Sequence, residues 1–398
     1  MNIPDLRYAV PFFQPIIAVD SVDVFAYEVL AREVRDGKVK SLGPFFEDPR
    51  VSNADKLVVD RHIRALALKE FADSGSDAKL FMNMKPSWIT AQGQKDEGAV
   101  LSLIETLGLD PGLIVIEVTE EELLSELDEF SRLVANYRRR GYLLAIDDFG
   151  KGASSIERIA CITPDIVKID SSIVQRMDSH RSFFDICQAM TAFGDISGFD
   201  LLFEGVETAY QLERCVAARG KYLQGYVFSK AREKMDAEFE NRNLLDSILS
   251  IRTRRSLASI RLRNEFSAEM ERIVNDLQEL VPKRTGDDLI APDALLALAG
   301  ALPYYCVRCF VCDMRGRQLS HLYQIGADGK VSVRGNDGSQ WLFRDFFAQG
   351  LGVLRNGNPG YLSEIHKDVE TKGNVATYMH VLTDDRLLCV DIISTLLA

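Results

Sequence analysis

Long apolar runs are missing from this chain of 398 residues. None approaches the roughly 18 residues needed to cross a membrane, and the N-terminus carries acidic Asp5 instead of a basic segment leading into an apolar one. The expectation is a cytoplasmic protein with no membrane partner. Clustered cations are missing too, since the net charge is -12. A nucleic-acid polymer therefore has no non-specific foothold, and any phosphate ligand must be held by a few placed cations or metal ions. Cysteines do not pair off: there are seven, and Cys161, Cys187, Cys215 and Cys389 are scattered, as suits free thiols in a reducing compartment. The other three, Cys306, Cys309 and Cys312, lie in an apolar run from Tyr304 to Met314 that reads as a strand. Alternation puts Cys309 on the face opposite Cys306 and Cys312, and no fourth ligand follows at suitable spacing, so structural cysteines are expected there.

What is present is a recurring arrangement of acids. Leu143-Leu144-Ala145-Ile146 ends in Asp147-Asp148, followed by Phe149-Gly150-Lys151-Gly152. The apolar run reads as a strand buried on both faces, and two adjacent like charges at its C-terminal mouth require a counter-cation. The pattern repeats: Ile114 to Ile116 ends in Glu117 with Glu120 behind it, Leu80 to Met82 ends in Asn83, and Leu201 to Phe203 ends in Glu204 with Glu207 three residues on.

From Pro11 to Ser229, eight short apolar runs alternate with helix-like segments. These runs are Phe12 to Val19, Phe25 to Leu30, Lys79 to Met84, Ile114 to Val118, Leu143 to Asp147, Ile166 to Ile169, Leu201 to Phe203 and Leu223 to Phe228. Strand-helix units with polar groups at the strand C-termini describe a (β/α)8 barrel with its site at that end. A charged helical stretch follows, in which Phe266, Met270, Ile273, Leu277 and Leu280 form a heptad-like seam. One helix lying against a domain and a dimer-forming connector both fit it. After Pro282, short strands and Gly-rich turns indicate an α+β unit with no evident cluster of acids or cations, and with His321, His366 and His380 scattered. The expected domains are thus a barrel over 1–235, a helical connector over 236–284 and an α+β domain over 285–398.

Glu28, Asn83, Glu117, Asp147 and Asp148 are hard oxygen donors with no thiolate or imidazole, which suits Mg²⁺ or Mn²⁺. Five such groups and an Asp-Asp step fit a two-metal site for in-line displacement at phosphorus. Lys168, one strand later, points into the acidic mouth, where it could orient water and stabilise developing charge. Glu204 is the candidate general base, and Arg32 a phosphate clamp.

Taken together, Gln14-Pro15-Ile16, Tyr27-Glu28-Val29-Leu30-Ala31-Arg32, Asn83 with Pro86, Glu117-Val118-Thr119-Glu120, Asp147 to Ser155, Lys168-Ile169-Asp170, Glu204-Gly205-Val206-Glu207 and Gln224-Gly225-Tyr226 resemble the EAL family of cyclic-di-GMP phosphodiesterases. The resemblance implies a modified TIM barrel with one antiparallel strand that hydrolyses cyclic di-GMP to linear pGpG with two Mg²⁺ or Mn²⁺. It makes Glu28, Asn83, Glu117, Asp147 and Asp148 metal ligands and Lys168 and Glu204 the water-activating pair. Gln14, Arg32 and Gln224 become substrate contacts. Glu120 holds the loop from Asp148 to Ser155, and Glu207 supports the metals. Residues 285–398 more loosely resemble PAS or Cache-like sensor domains, on Gly360-Tyr361-Leu362-Ser363-Glu364, Asp368, Thr371-Lys372-Gly373, Thr377 and Val390-Asp391-Ile392. This implies a small intracellular ligand, and the seam suggests a homodimer.

Two positions depart from the family pattern. Val29 stands where the family has alanine, and Ala153 replaces the usual aromatic in the loop that couples dimer contacts to metal geometry. A receptor that binds cyclic di-GMP without turnover is therefore the competing expectation. An unrelated barrel enzyme stabilising an enolate would use the same acids without accounting for the ordered motifs.

Overall fold

The computed structural model of the chain describes residues 3–84, 94–119, 134–151, 156–236, 238–277, 292–335, 338–368 and 373–396. Two compact units divide at Ser250 and Ile251. The first holds β1 (Ala9–Ala18), β2 (Asp23–Arg35), β3 (Lys38–Ser41), β4 (Lys79–Asn83), β5 (Ile114–Thr119), β6 (Leu143–Phe149), β7 (Ile166–Ile169), β8 (Asp200–Phe203) and β9 (Tyr222–Gln224). Their order is β1-β9-β8-β7-β6-β5-β4-β2-β3, and a further β1–β2 pairing closes eight of them into a barrel. β1 runs antiparallel to both β2 and β9, while the pairs from β2–β4 round to β8–β9 are parallel. This is a TIM barrel with one reversed strand. β3, which sequence patterning does not signal, is an exposed flap paired to β2.

Period-2 alternation splits the barrel strands into two apolar sets. Ile16, Ala26, Phe81, Val115, Ala145, Ile166, Leu202 and Tyr222, one from each barrel strand, fill the interior as a separate cluster. Residues of opposite parity, such as Leu80, Ile116, Leu144, Val167 and Phe203, join the larger core beneath the helices. The helices Asn53–Ser74 and Ala209–Ala217 begin on side-chain caps: Ser52 accepts from the Asp55 amide, and Thr208 and Gln211 form a reciprocal capping box. The strand expected over Leu223 to Phe228 ends at Gln224, because the amides of Phe228 and Ser229 turn back onto the Gly225 carbonyl and bury Phe228 in the outer core.

The second unit is one sheet in the order β12-β11-β10-β16-β15-β13, with β14 beside β15. Its strands are β10 (Cys306–Asp313), β11 (Leu322–Ile325), β12 (Val331–Arg334), β13 (Gly360–Leu362), β14 (His366–Lys367), β15 (Asn374–Thr383) and β16 (Arg386–Ile393). Phe347, Leu351 and Leu354 of the helix Asp345–Arg355 cover one face. Phe266, Met270 and Val274 pack with Leu295 and Leu298 on the other, and Ile273 and Leu277 lie against the same cluster. The described part of the heptad seam therefore meets this chain's own sheet; Leu280 lies outside the described residues. The connecting helix runs Arg242–Leu277, so its first turns belong to the barrel unit and the remainder to the second.

Two expectations for this unit need correcting. Cys309 shares a core with Cys306 and not an opposite face, because a bulge between Cys306 and Arg308 inserts one residue and reverses the alternation; Cys312 does lie in the other core. The unit also contains a buried ionic cluster that its sequence did not suggest. Arg308 donates to Asp391 at 2.6 Å and to Asp368 at 2.8 Å, and Thr377 donates to Asp391 at 2.6 Å. Among the described residues, no helix is long and apolar enough to cross a membrane.

Candidate functional site

Advancing two residues towards the mouth from each interior apolar residue reaches a polar one on all eight barrel strands. Ile16 leads to Gln14 on the reversed β1, Ala26 to Glu28, Phe81 to Asn83, Val115 to Glu117, Ala145 to Asp147, Ile166 to Lys168, Leu202 to Glu204 and Tyr222 to Gln224. Sheet pairing sets them side by side: Gln14 is opposite Glu28, and Asn83 is opposite Glu117. A polar layer thus sits directly on an apolar plug, and the plug keeps water from one side of it.

Lys168 is the hub of this layer and is 1% exposed. Its Nζ lies 2.5 Å from Glu117 Oε1, 2.6 Å from Glu204 Oε1, 3.0 Å from Asp147 Oδ1 and 3.4 Å from Glu28 Oε1. Amides complete the shell: Asn83 Nδ2 donates to Glu117 Oε2 at 3.1 Å, and Gln224 Nε2 to Glu28 Oε2 at 2.6 Å. Gln14 Nε2 donates to the Ser229 carbonyl at 3.1 Å. Glu117 Oε1 and Glu204 Oε1 are thus held against the ammonium, while buried Gln224 Oε1 has no hydrogen-bond partner among the described residues. Burial raises the carboxyl pKa of Glu117 and Glu204, and neighbouring Glu28 and Asp147 add to the rise, with Lys168 opposing it. Burial also pulls on the Lys168 ammonium, but the four surrounding carboxylates outweigh it and hold its pKa above the ordinary lysine value.

Asp148 reaches the mouth by breaking alternation. The β6–β7 register shifts between Ile146 and Phe149, and Asp148 adopts φ +56°, a left-handed conformation that aspartate tolerates better than most residues. Carboxylate oxygens of Asp147, Asp148 and Glu204 then lie within 4.8 Å of one another. The Asp148 amide donates to Asp147 Oδ1 at 2.9 Å, and Lys151 Nζ approaches Asp148 Oδ2 at 3.1 Å. Burial and then Asp147 raise the Asp148 pKa, partly offset by Lys151.

Glycines hold the last two barrel strands in place. A Cβ on Gly225 would meet the Val206 backbone at 2.1 Å, and Gly205, at φ +63°, would meet Ser171 Cβ at 2.4 Å. Only glycine lets the segments after β7, β8 and β9 approach so closely. Arg32 is half-buried, with Nη1 on the Ala31 carbonyl at 2.9 Å; burial lowers its pKa, while nearby Tyr226 and Glu28 oppose that. Glu207 is exposed and outside the carboxylate convergence. Glu120, Pro86 and Ala153 lie outside the described residues. Sequence reasoning gave no role to Lys151 or to Tyr226, an exposed residue with Lys230 Nζ 5.7 Å from its ring centre. Their places beside the Asp-Asp step and Gln224 were the available signals.

The donor set fits divalent cations. Hard oxygens dominate it, and one ammonium faces four carboxylates. Comparison with known proteins agrees with this chemistry. Residues 6–231 match the EAL domain, and residues 239–397 match an EAL-domain associated signalling protein domain. An uncharacterized EAL-domain containing protein, YkuI of Bacillus subtilis, is 27% identical over 98% of this chain and 95% of its own length. Its crystal structure, in complex with substrate c-di-GMP and calcium, superposes with a TM-score of 0.86 at 25% identity, covering 98% of this chain and 97% of that one. The cyclic di-GMP phosphodiesterase RocR of Pseudomonas aeruginosa is 27% identical over 55% of this chain and 56% of its own. This chain belongs to the EAL-domain family and carries that family's associated signalling domain.

Proposed function

We propose that the protein is a divalent-metal-dependent phosphodiesterase that opens cyclic di-GMP to linear pGpG in the cytoplasm. The observation that carries this reading is the polar layer, in which Glu28, Glu117, Asp147 and Glu204 surround Lys168 at the mouth of an EAL-family barrel. Glu28, Asn83, Glu117, Asp147 and Asp148 would hold Mg²⁺ or Mn²⁺. When bound, two such ions supply the charge that activates water and steadies the leaving oxygen during in-line displacement at phosphorus.

The chain's own groups do the remaining work. Glu204, beside Asp147 and Asp148, accepts a proton from water as the water oxygen bonds to phosphorus and one ester P–O bond breaks. Lys168 orients the water and offsets negative charge growing on the phosphoryl oxygens. Arg32 offers two parallel N–H groups to a phosphate, and Gln14 and Gln224 orient the substrate.

Incubating the full chain with cyclic di-GMP and Mg²⁺ or Mn²⁺, and following pGpG by chromatography, tests the reading. Product should accumulate, and chelation should stop it; equal turnover after exhaustive chelation would remove the metal from the mechanism. Calcium should inhibit, because its longer, looser coordination misplaces water. A second reading, binding without turnover, draws support from Lys151, which already occupies one Asp148 oxygen. Tight binding with no pGpG would favour it. The C-terminal unit is proposed to sense a small ligand within a homodimer. Coupling must then be reciprocal, so a ligand that tightens cyclic-di-GMP binding is itself held more tightly when cyclic di-GMP is present.

A further inference from the structure

Four carboxylates around one buried nitrogen form a shell of the kind expected for a metal ion, yet its centre is an ammonium. An ammonium has three protons, so it cannot donate to all four at once, and its attraction to them is largely undirected. A second ammonium, Lys151, sits on Asp148, the acid that adjoins the hub through Asp147. Among the described residues, these two lysines are the cations that contact the convergent acids. We propose that Lys168 and Lys151 are resident counter-ions of the metal-free site, and that divalent ions enter by displacing their ammonium groups from the shared carboxylates.

The charge balance requires some such device. With neither metal nor ammonium between them, Glu28, Glu117, Asp147 and Glu204 would have to take up protons or lose stability, because each buried like charge raises the cost of the next. Divalent ions bring more charge to the same oxygens, so they prevail once present, and Lys168 is then released towards the substrate side, where its proposed catalytic task lies. Lys151 differs in degree. Its side chain is 58% exposed and its pair with Asp148 is correspondingly weak, so it tunes entry at that edge without holding the fold.

This inference rests on the metal-binding part of the proposed function and not on turnover, and its tests contain no cyclic di-GMP. Failure to hydrolyse that substrate would leave it standing, and its own failure would leave phosphodiester hydrolysis possible. The first test is thermal melting of the full chain, chelated or saturated with Mn²⁺. Lys168→Met should lower the chelated melting temperature by about 10 °C and leave the Mn²⁺-saturated value within about 2 °C of wild type. Equal losses in both states would make Lys168 a general structural residue and overturn the proposal. The second test needs no variant and decides alone if Lys168→Met does not fold. Crystal structures of the wild-type chain with and without Mn²⁺ should show Nζ moving more than about 4 Å from Glu117 Oε1 and Asp147 Oδ1 when the ion binds. Retention of both contacts beside bound Mn²⁺ would overturn displacement. Lys151→Ala should tighten the weaker Mn²⁺ site about threefold by titration calorimetry without changing the chelated melting temperature; unchanged affinity would remove Lys151 from the proposal.

Discussion

A single step of two residues along each strand separates the barrel's plug from its chemistry, and that step is why the candidate site could be read from sequence. Each run of apolar residues ended in a polar one of the same parity, so Glu28, Asn83, Glu117, Asp147, Lys168, Glu204 and Gln224 fall in one layer. Glu204→Gln keeps the size and removes the proton acceptor. It should lower kcat by about 10²- to 10⁴-fold with little change in KM, measured by pGpG release; an unchanged kcat would discard the assignment. Asp148 obeys a different rule, since its place depends on a left-handed backbone that parity cannot foresee. Asp148→Asn preserves tolerance of that conformation while removing the charge, whereas Asp148→Ala adds about 1 kcal/mol of strain. The alanine variant should therefore melt below the asparagine variant in the presence of chelator, and equal melting would show that the backbone there relaxes at no cost.

At the scale of elements, the eight barrel strands were legible because buried parallel strands are continuous apolar runs with sharp polar ends. What escaped was whatever local pattern does not encode. β3 is a short, exposed strand of Lys38, Val39, Lys40 and Ser41 with no buried side to mark it. The Cys306 to Arg308 bulge reverses a face through one inserted residue. The Arg308, Asp368 and Asp391 cluster joins residues up to 83 positions apart. The seam of Phe266 and Met270 reads in sequence as one apolar face, but nothing local says what covers it. Because it covers the second unit's own sheet, Met270→Ala should destabilise that unit by about 2–5 kcal/mol. Denaturant titration checks this, and a loss below about 0.5 kcal/mol would mean the helix is not part of that core.

At the scale of the whole molecule, the two units have separate cores, and the candidate metal site lies entirely in the first. Two calorimetric transitions are expected. Mn²⁺ at about 100 times its dissociation constant should raise the first by about 2.7 kcal/mol, or about 5 to 10 °C, and leave the second in place. Equal movement of both would show that they unfold together. Acid should act on the second through His380, which is buried between β13 and β16 on β15. Burial lowers its pKa from 6.5 to about 4, so the folded domain resists a proton that the unfolded chain accepts. The associated stability is complete above the unfolded value and is lost as pH falls from about 6.5 to about 4. It amounts to about 3 kcal/mol. His380→Phe removes the titrating group, so the second transition of that variant should fall less steeply over this window than that of wild type, while the first keeps the same pH profile. If both chains lose the second transition in parallel as pH falls, the acid response belongs to other groups in the domain and His380 is protonated there without cost.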